Sequence, residues 1–136
     1  MKNSLFFSLA LLVVACSQPS KTMTVNGSIK GFQKGTLYLQ HVNDGNFTTL
    51  DSLAMSSTID FELGYDLKEA ELLFLSISEA IDAERISFFA DQGVTTIHTS
   101  LKHFKNDAQI EGGAQQKLLE TYYKNIGRFK DQRLDL

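Results

Sequence analysis

Turn-forming residues recur about every ten positions from residue 22 onward, and short segments with alternating apolar residues lie between them. The clearest segment is STIDFEL (57–63), in which Ile59, Phe61 and Leu63 alternate with Asp60 and Glu62. Because successive side chains of a strand point to opposite faces, this alternation predicts a strand with one buried and one solvated face. Repeated at this spacing, the pattern predicts a mainly β fold, namely an antiparallel β-sandwich-like domain.

Two hairpins are expected within this domain. They are GTLYLQHV–NDGN–FTTLDSLAM (35–55) and ISFFA–DQG–VTTIHTSL (86–101). Asp-Gly and similar pairs between two strand-like segments favour a tight turn, because glycine accepts positive φ values at no steric cost. MTVNGSI (23–29) is a further strand, with a break expected at Asn26-Gly27.

The segment LKEAELLFLSISEAIDAER (67–85) is ambiguous from its residues alone. Its first part is rich in helix-forming residues, whereas residues 72–77 form a nearly continuous apolar run that suits a strand buried on both faces. Periodicity does not separate these two interpretations.

The periodicity changes after Gly112-Gly113. Leu119, Tyr122, Ile126 and Phe129 recur at intervals of three and four, with Leu118 and Tyr123 widening the apolar stripe. This spacing predicts an amphipathic helix within residues 112–136. Its apolar stripe either covers the sheet or docks a partner domain.

Charge and composition exclude several functions. The 136 residues carry 13 Lys and Arg against 16 Asp and Glu, and this net charge of −3 lacks the basic field that attracts nucleic acid. One cysteine cannot form an internal disulfide or a CxxC pair. His41, His98 and His103 lack the spacing of a metal site.

No motif supports catalysis. Asp60 and Glu62 lie on the polar face of an alternating strand, no nucleophile-elbow motif accompanies the histidines, and Gly112-Gly113 lacks the Lys-Ser/Thr of a phosphate-binding loop. We therefore expect a non-enzymatic protein with no catalytic, cofactor-binding or metal-binding residues and no cofactor.

The first residues have the pattern of an export signal. Lys2 precedes an apolar run over residues 5–15, which as a helix would span only about 17 Å, too short for a membrane of about 30 Å. Val13-Val14-Ala15-Cys16 resembles the lipobox of bacterial lipoproteins. The resemblance implies that residues 1–15 are a signal peptide and that Cys16 is the lipid-attachment site, which would anchor the protein in a membrane.

Residues 16–22 read as a lipidated tether, residues 23–111 as the β-rich domain and residues 112–136 as the C-terminal helix. Ser17 stands where inner-membrane lipoproteins commonly carry Asp. The expected location is therefore the bacterial cell envelope, at the periplasmic face of the outer membrane.

Several longer motifs occur along the chain, namely the GSI and GTLYL segments (27–29 and 35–39), DS with IDF (51–52 and 59–61), FFADQGVTTIHTSL (88–101) and AQIEGGAQQKLLETY (108–122). Together they resemble an uncharacterised β-rich domain found at the N-terminus of many envelope lipoproteins, ahead of a thioredoxin-like domain. The resemblance covers residues 23–123 and implies a strand within residues 72–77. The family carries a turn glycine where this chain has Ser56-Ser57-Thr58.

Two functions are compatible with these observations. The first is a membrane-anchored, non-catalytic binding or interaction module of the envelope with an unidentified ligand or protein partner. The second is the N-terminal domain of a thiol–disulfide oxidoreductase, whose thioredoxin-like catalytic domain and CxxC motif are missing from these residues.

A short motif suggests a modification. Asp51-Ser52-Leu53 resembles the Asp-Ser/Thr-apolar acceptor that some Gram-negative bacteria O-glycosylate on exported proteins. Ser52 is therefore a candidate O-glycosylation site. The alternative is a turn in which Asp51 bonds to nearby backbone.

Overall fold

A computed structural model describes the backbone of residues 21–134 and the side chains of residues 21–128. The predicted signal peptide and the lipid-attachment site Cys16 lie outside the described residues. The described elements, in chain order, are β1 (Met23–Lys30), β2 (Lys34–Asn43), β3 (Asn46–Ser56), β4 (Asp60–Tyr65), β5 (Glu71–Ser76), β6 (Arg85–Ala90), β7 (Gly93–Ser100), β8 (Gln109–Glu111) and α1 (Ala114–Leu134).

The strands form two four-stranded sheets. Sheet I has the order β4-β1-β7-β8, and sheet II has the order β3-β2-β5-β6. Alternate residues of both sheets form one apolar core, which removes their side chains from water and stabilises the sandwich. The sandwich-like, mainly β fold with a C-terminal helix is therefore confirmed. The fully buried core residues of the strands include Val25, Ile29 and Ile97 of sheet I and Leu37, Leu39, Leu73, Leu75 and Phe88 of sheet II.

One strand pair is parallel. β1 pairs with β4 in the antiparallel sense and with β7 in the parallel sense, so that Gly27 lies opposite Ile97. A Cβ atom at position 27 would lie 1.7 Å from the Ile97 carbonyl oxygen, which is a steric clash for every residue except glycine. The Asn26-Gly27 break expected from the sequence is therefore absent, and β1 continues through Gly27 because glycine permits this close approach.

The expected hairpin over residues 86–101 is wrong. β6 belongs to sheet II and β7 to sheet I, so the chain crosses between the sheets at Asp91-Gln92. The Gly93 N–H donates a 2.9 Å hydrogen bond to the Thr22 carbonyl oxygen, which fixes the beginning of β7 beside the beginning of β1. A turn signal is local and does not specify which sheet receives the next strand.

The other hairpin, over residues 35–55, is confirmed. Its two-residue turn places Asp44 at φ 50° and Gly45 at φ 78°. Positive φ at both central positions is the type I′ geometry, whose twist matches that of the flanking strands.

The ambiguous segment contains one strand, β5, which covers residues 72–76 of the 72–77 that the family resemblance implied and ends before Ile77. Leu73 and Leu75 are buried, but Leu72 is 39% exposed and Phe74 is half-buried. The expectation of burial on both faces is therefore wrong. Only one face of β5 packs into the core, since no second layer formed by the described residues covers the other face.

Helix α1 confirms the predicted C-terminal helix but does not cover a sheet with its tyrosines. Its N-terminal part contacts β6, where the Gln116 side-chain oxygen accepts a 2.7 Å hydrogen bond from the Phe89 N–H. Leu118, Tyr122 and Tyr123 remain about 60% exposed. Within residues 21–134, no helix combines the length and the apolarity that crossing a membrane requires.

Candidate binding surface

The outer face of sheet II carries a group of apolar side chains, which we call the aromatic face. Strand register places Val42 beside Phe47, Leu72 beside Phe89, and Phe74 beside Gln40. These residues alternate with the buried core residues of the same strands, so they point away from the core. The aromatic face comprises Val42, Phe47, Leu72, Phe74 and Phe89.

Phe47 is held in place from two sides. Its ring meets the Phe74 ring edge to face, with centroids 5.1 Å apart. The guanidinium carbon of Arg85 lies 3.7 Å from the centroid of the Phe47 ring, within cation–π range. Phe47 is nevertheless 37% exposed, so it is a preorganised apolar side chain at the surface.

Arg85 organises the connection between β5 and β6. It is only 9% exposed, and its guanidinium donates hydrogen bonds to the backbone carbonyl oxygens of Ala80 (2.8 Å), Ala83 (3.0 Å) and Ile81 (3.3 Å). The Nε–H donates to Oε1 of Gln40 at 3.0 Å. In the described part of the chain, no carboxylate oxygen lies within 4.0 Å of this guanidinium. Backbone dipoles and the Phe47 ring therefore stabilise the buried charge.

A second set of hydrogen bonds ties the same connection to β3. The Gln40 amide donates to Thr49 Oγ1 (3.2 Å), and that hydroxyl donates to Glu79 (2.9 Å). A cavity of about 200 Å³ opens between Phe47, Glu79 and Ile81. Ile81 is 88% exposed and extends the apolar surface beside Phe47.

The outer face of sheet I is mainly polar by contrast, with Val94 as an isolated exposed apolar side chain. Ser28 lies in register between Asp60 and His98, and its hydroxyl shares a 2.8 Å hydrogen bond with His98 Nδ1. A catalytic triad requires a carboxylate on the histidine, but here the carboxylate flanks the serine. Asp60 and Glu62 are both exposed, as the alternating pattern predicted.

The candidate modification site is exposed. Ser52 lies on the edge strand β3, opposite Tyr38. Its neighbour Asp51 accepts hydrogen bonds from the Ser52 N–H (2.9 Å), the Gly64 N–H (2.9 Å) and the Lys21 ammonium (2.9 Å). The carboxylate of Asp51 thereby satisfies a backbone donor of β4 and joins the two sheets.

These contacts determine the charge state of Asp51. Partial burial of the carboxylate raises its pKa, but the hydrogen bonds from Gly64, Lys21 and Ser52, with the Lys21 charge, outweigh that effect. The pKa of Asp51 therefore lies below its ordinary value of 3.8.

His41 lies on sheet II, apart from His98 and His103 at one end of sheet I. His41 is half-buried and pairs with Glu71 at 2.9 Å, whereas His98 and His103 are exposed. Over the described residues, no three His, Cys, Asp or Glu side chains come together in a group that could hold a metal ion.

Comparison with known proteins gives a family without an assigned activity. Residues 23–119, more than half of the chain, match the family described as "Domain of unknown function (DUF4369)". The chain belongs to the DUF4369 family. This confirms the resemblance to an uncharacterised β-rich domain, and the DUF4369 match includes both sheets and the first residues of α1. Neither a curated protein nor a solved structure matched the chain.

Sequence reasoning missed the aromatic face and Arg85. The sequence does contain a signal for the aromatic face, because an apolar run of LLFL on a strand must place two of its four side chains on the outer face. No sequence signal paired Arg85 with Gln40, which is 45 residues away.

Proposed function

We propose that this DUF4369 protein is a non-catalytic interaction module of the bacterial envelope, and that the aromatic face binds a protein partner through an apolar surface. The observation that carries this proposal is the exposure of contiguous apolar side chains, Val42, Phe47 and Leu72, on one face of a folded sheet. Contiguous apolar patches on otherwise polar surfaces mark interaction sites, whereas scattered single residues do not.

The fixed position of Phe47 supports the same function. A side chain already held by Arg85 and Phe74 loses little conformational entropy on binding. Rigid aromatic residues beside an arginine are typical of the residues that dominate binding energy at protein interfaces.

Site-specific photo-crosslinking in the native cells tests the proposal. A benzoylphenylalanine at position 72 or 42 should give one discrete adduct, whereas the same residue at position 26 or 62, on the outer face of sheet I, should give none. Leu72→Asp should abolish the adduct formed from position 42. Equal adducts from both faces, or none from sheet II, would show that the aromatic face is not the docking surface.

A matched substitution separates docking from folding. Leu72 is exposed, so Leu72→Asp should change the melting temperature little. Ile126 is half-buried, but Leu118, Tyr122 and Tyr123 of the same helix are exposed, so Ile126→Asp should also cost little. A large loss of stability in Ile126→Asp would instead mean that the stripe of α1 covers the core.

The anchoring belongs to the same proposal. The Val13–Cys16 motif supports lipidation of Cys16 and a location at the periplasmic face of the outer membrane. Intact mass of the protein extracted from membranes should equal residues 16–136 plus lipid. A mass without lipid would refute the role of Cys16, and excess mass of sugar size that disappears in Ser52→Ala would support glycosylation of Ser52.

A second candidate is the N-terminal domain of a thiol–disulfide oxidoreductase. The exposed Leu118, Tyr122 and Tyr123 of α1 favour it, because a thioredoxin-like domain would cover such a stripe. A native mass larger by one domain, with a CxxC motif in the added sequence, would establish it.

A further inference from the structure

A groove lies at the end of sheet I where β1 and β7 finish side by side. Strand register pairs Lys30 with Ser100, and the chain then folds back through residues 101–108 to β8. Two adjoining concavities of about 490 and 560 Å³ share Lys30, Ser100 and Asp107 in their walls. Both concavities are shallow and open to solvent. We call this combined concavity the basic groove.

Hydrogen bonds fix the wall of the basic groove. The Ser100 hydroxyl accepts from the His103 N–H (3.2 Å) and donates to the Asp107 carboxylate (2.6 Å). Thr99 donates to the Phe104 carbonyl oxygen at 2.6 Å, and the Phe104 ring is 1% exposed in the core. The segment that carries Lys102 and His103 is therefore anchored on both of its sides.

The charge of the basic groove differs from that of the whole protein. Lys30 lines both concavities, and Lys102 lines one of them. Across residues 21–128, no carboxylate oxygen comes within 4.0 Å of either amine. Among the described residues, Asp107 is the one acidic residue in the walls, and its carboxylate accepts a hydrogen bond from the Ser100 hydroxyl. His98 and His103 add hydrogen-bonding imidazoles. A positive groove on a protein of net charge −3 selects an anionic ligand.

We propose that the basic groove binds a small ligand bearing a phosphate or other anionic head group, which the Lys30 and Lys102 ammonium groups contact. The exposed Leu101 side chain and Gly31 form the apolar part of the wall and accept an apolar portion of that ligand. Such a head group belongs either to a soluble phosphate compound or to an anionic lipid.

Titration of the full-length protein, in non-ionic detergent, with inorganic pyrophosphate tests the proposal by amide NMR. Saturable shifts are expected for residues 30–31 and 98–107. Lys30→Met with Lys102→Met should weaken binding at least tenfold. Lys68→Met with Lys124→Met changes the net charge equally at exposed positions outside the groove and should leave binding unchanged.

Lipids mixed into the detergent micelles distinguish the two sources of the head group. If phosphatidylglycerol shifts these amides, and phosphatidylcholine and pyrophosphate do not, the ligand is a lipid. Pyrophosphate binding alone assigns the groove to a soluble phosphate compound. Binding of neither probe, or equal weakening by both pairs of lysine substitutions, overturns the proposal. All four lysines are exposed, and CD spectra of both double variants verify that they fold.

Discussion

Replacement of Arg85 by methionine should destabilise the protein by about 3 kcal/mol. Methionine keeps much of the side-chain length but leaves the Gln40 oxygen, in a residue only 2% exposed, without its donor, which costs about 2 kcal/mol. Loss of the cation–π contact with Phe47 adds about 1 kcal/mol. The carbonyl groups of residues 80–83 lie near the surface and can turn to water, so they add little to this sum.

Urea unfolding and thermal unfolding followed by circular dichroism measure this effect. At about 4 °C per kcal/mol, the melting temperature should fall by about 12 °C. The melting temperature of Arg85→Lys should lie between those of the wild type and Arg85→Met, since an ammonium keeps the charge but not the planar set of donors. Arg128→Met on the exposed side of α1 is the matched control and should cost less than about 0.5 kcal/mol.

Hydrogen exchange identifies the part of the molecule that responds. The Ala83 N–H donates to the Ala80 carbonyl oxygen (3.1 Å) and should lose protection in Arg85→Met before the core strands do. Equal costs for Arg85→Met and Arg128→Met would refute the organising role of Arg85. If Arg85→Met destabilises the protein but leaves the hydrogen-exchange protection of Ala83 unchanged, the effect of Arg85 lies in the sheet instead.

Three further substitutions test the backbone and charge arguments. Gly27→Ala should cost about 3 kcal/mol or more in thermal unfolding because its Cβ meets the Ile97 carbonyl, whereas Gly127→Ala has open space and should increase α1 helicity. Asp51→Asn should lower the free energy of unfolding by about 1 kcal/mol at pH 7. Because the pKa of Asp51 is lowered in the folded protein, its stabilising contribution is present above pH ~4 and is lost as the pH falls through that pKa. In urea titrations between pH 5 and 2, the variant should therefore lose less stability than the wild type. Ser57→Gly should raise the melting temperature slightly, since Ser57 has φ 60°, and an unchanged or lower value would contradict strain there.

Ser57 also explains a departure noted in the sequence. The resembling family has a turn glycine where this chain has Ser56-Ser57-Thr58, and Ser57 adopts the left-handed conformation that glycine prefers. The turn conformation is thus present without the glycine, and the Ser57 N–H bonds to the Gln33 carbonyl oxygen at 3.0 Å.

The amino-acid sequence by itself determined the features that depend on neighbouring residues. Alternation predicted β4 and its solvated carboxylates, Asp44-Gly45 predicted the β2–β3 turn, and the three-four spacing predicted α1. Each of these depends on local sterics or on which face is apolar, and both are readable over a few residues.

Only the tertiary structure decided which distant residues meet. It placed β7 parallel to β1 instead of beside β6, Arg85 against Gln40, and Lys30 next to the segment containing Lys102. Strand pairing across sheets depends on how two apolar faces pack and which edges remain free, and no short segment encodes that. The candidate surfaces of this protein lie where such long-range pairings converge, which is why the sequence supplied their residues but not their grouping.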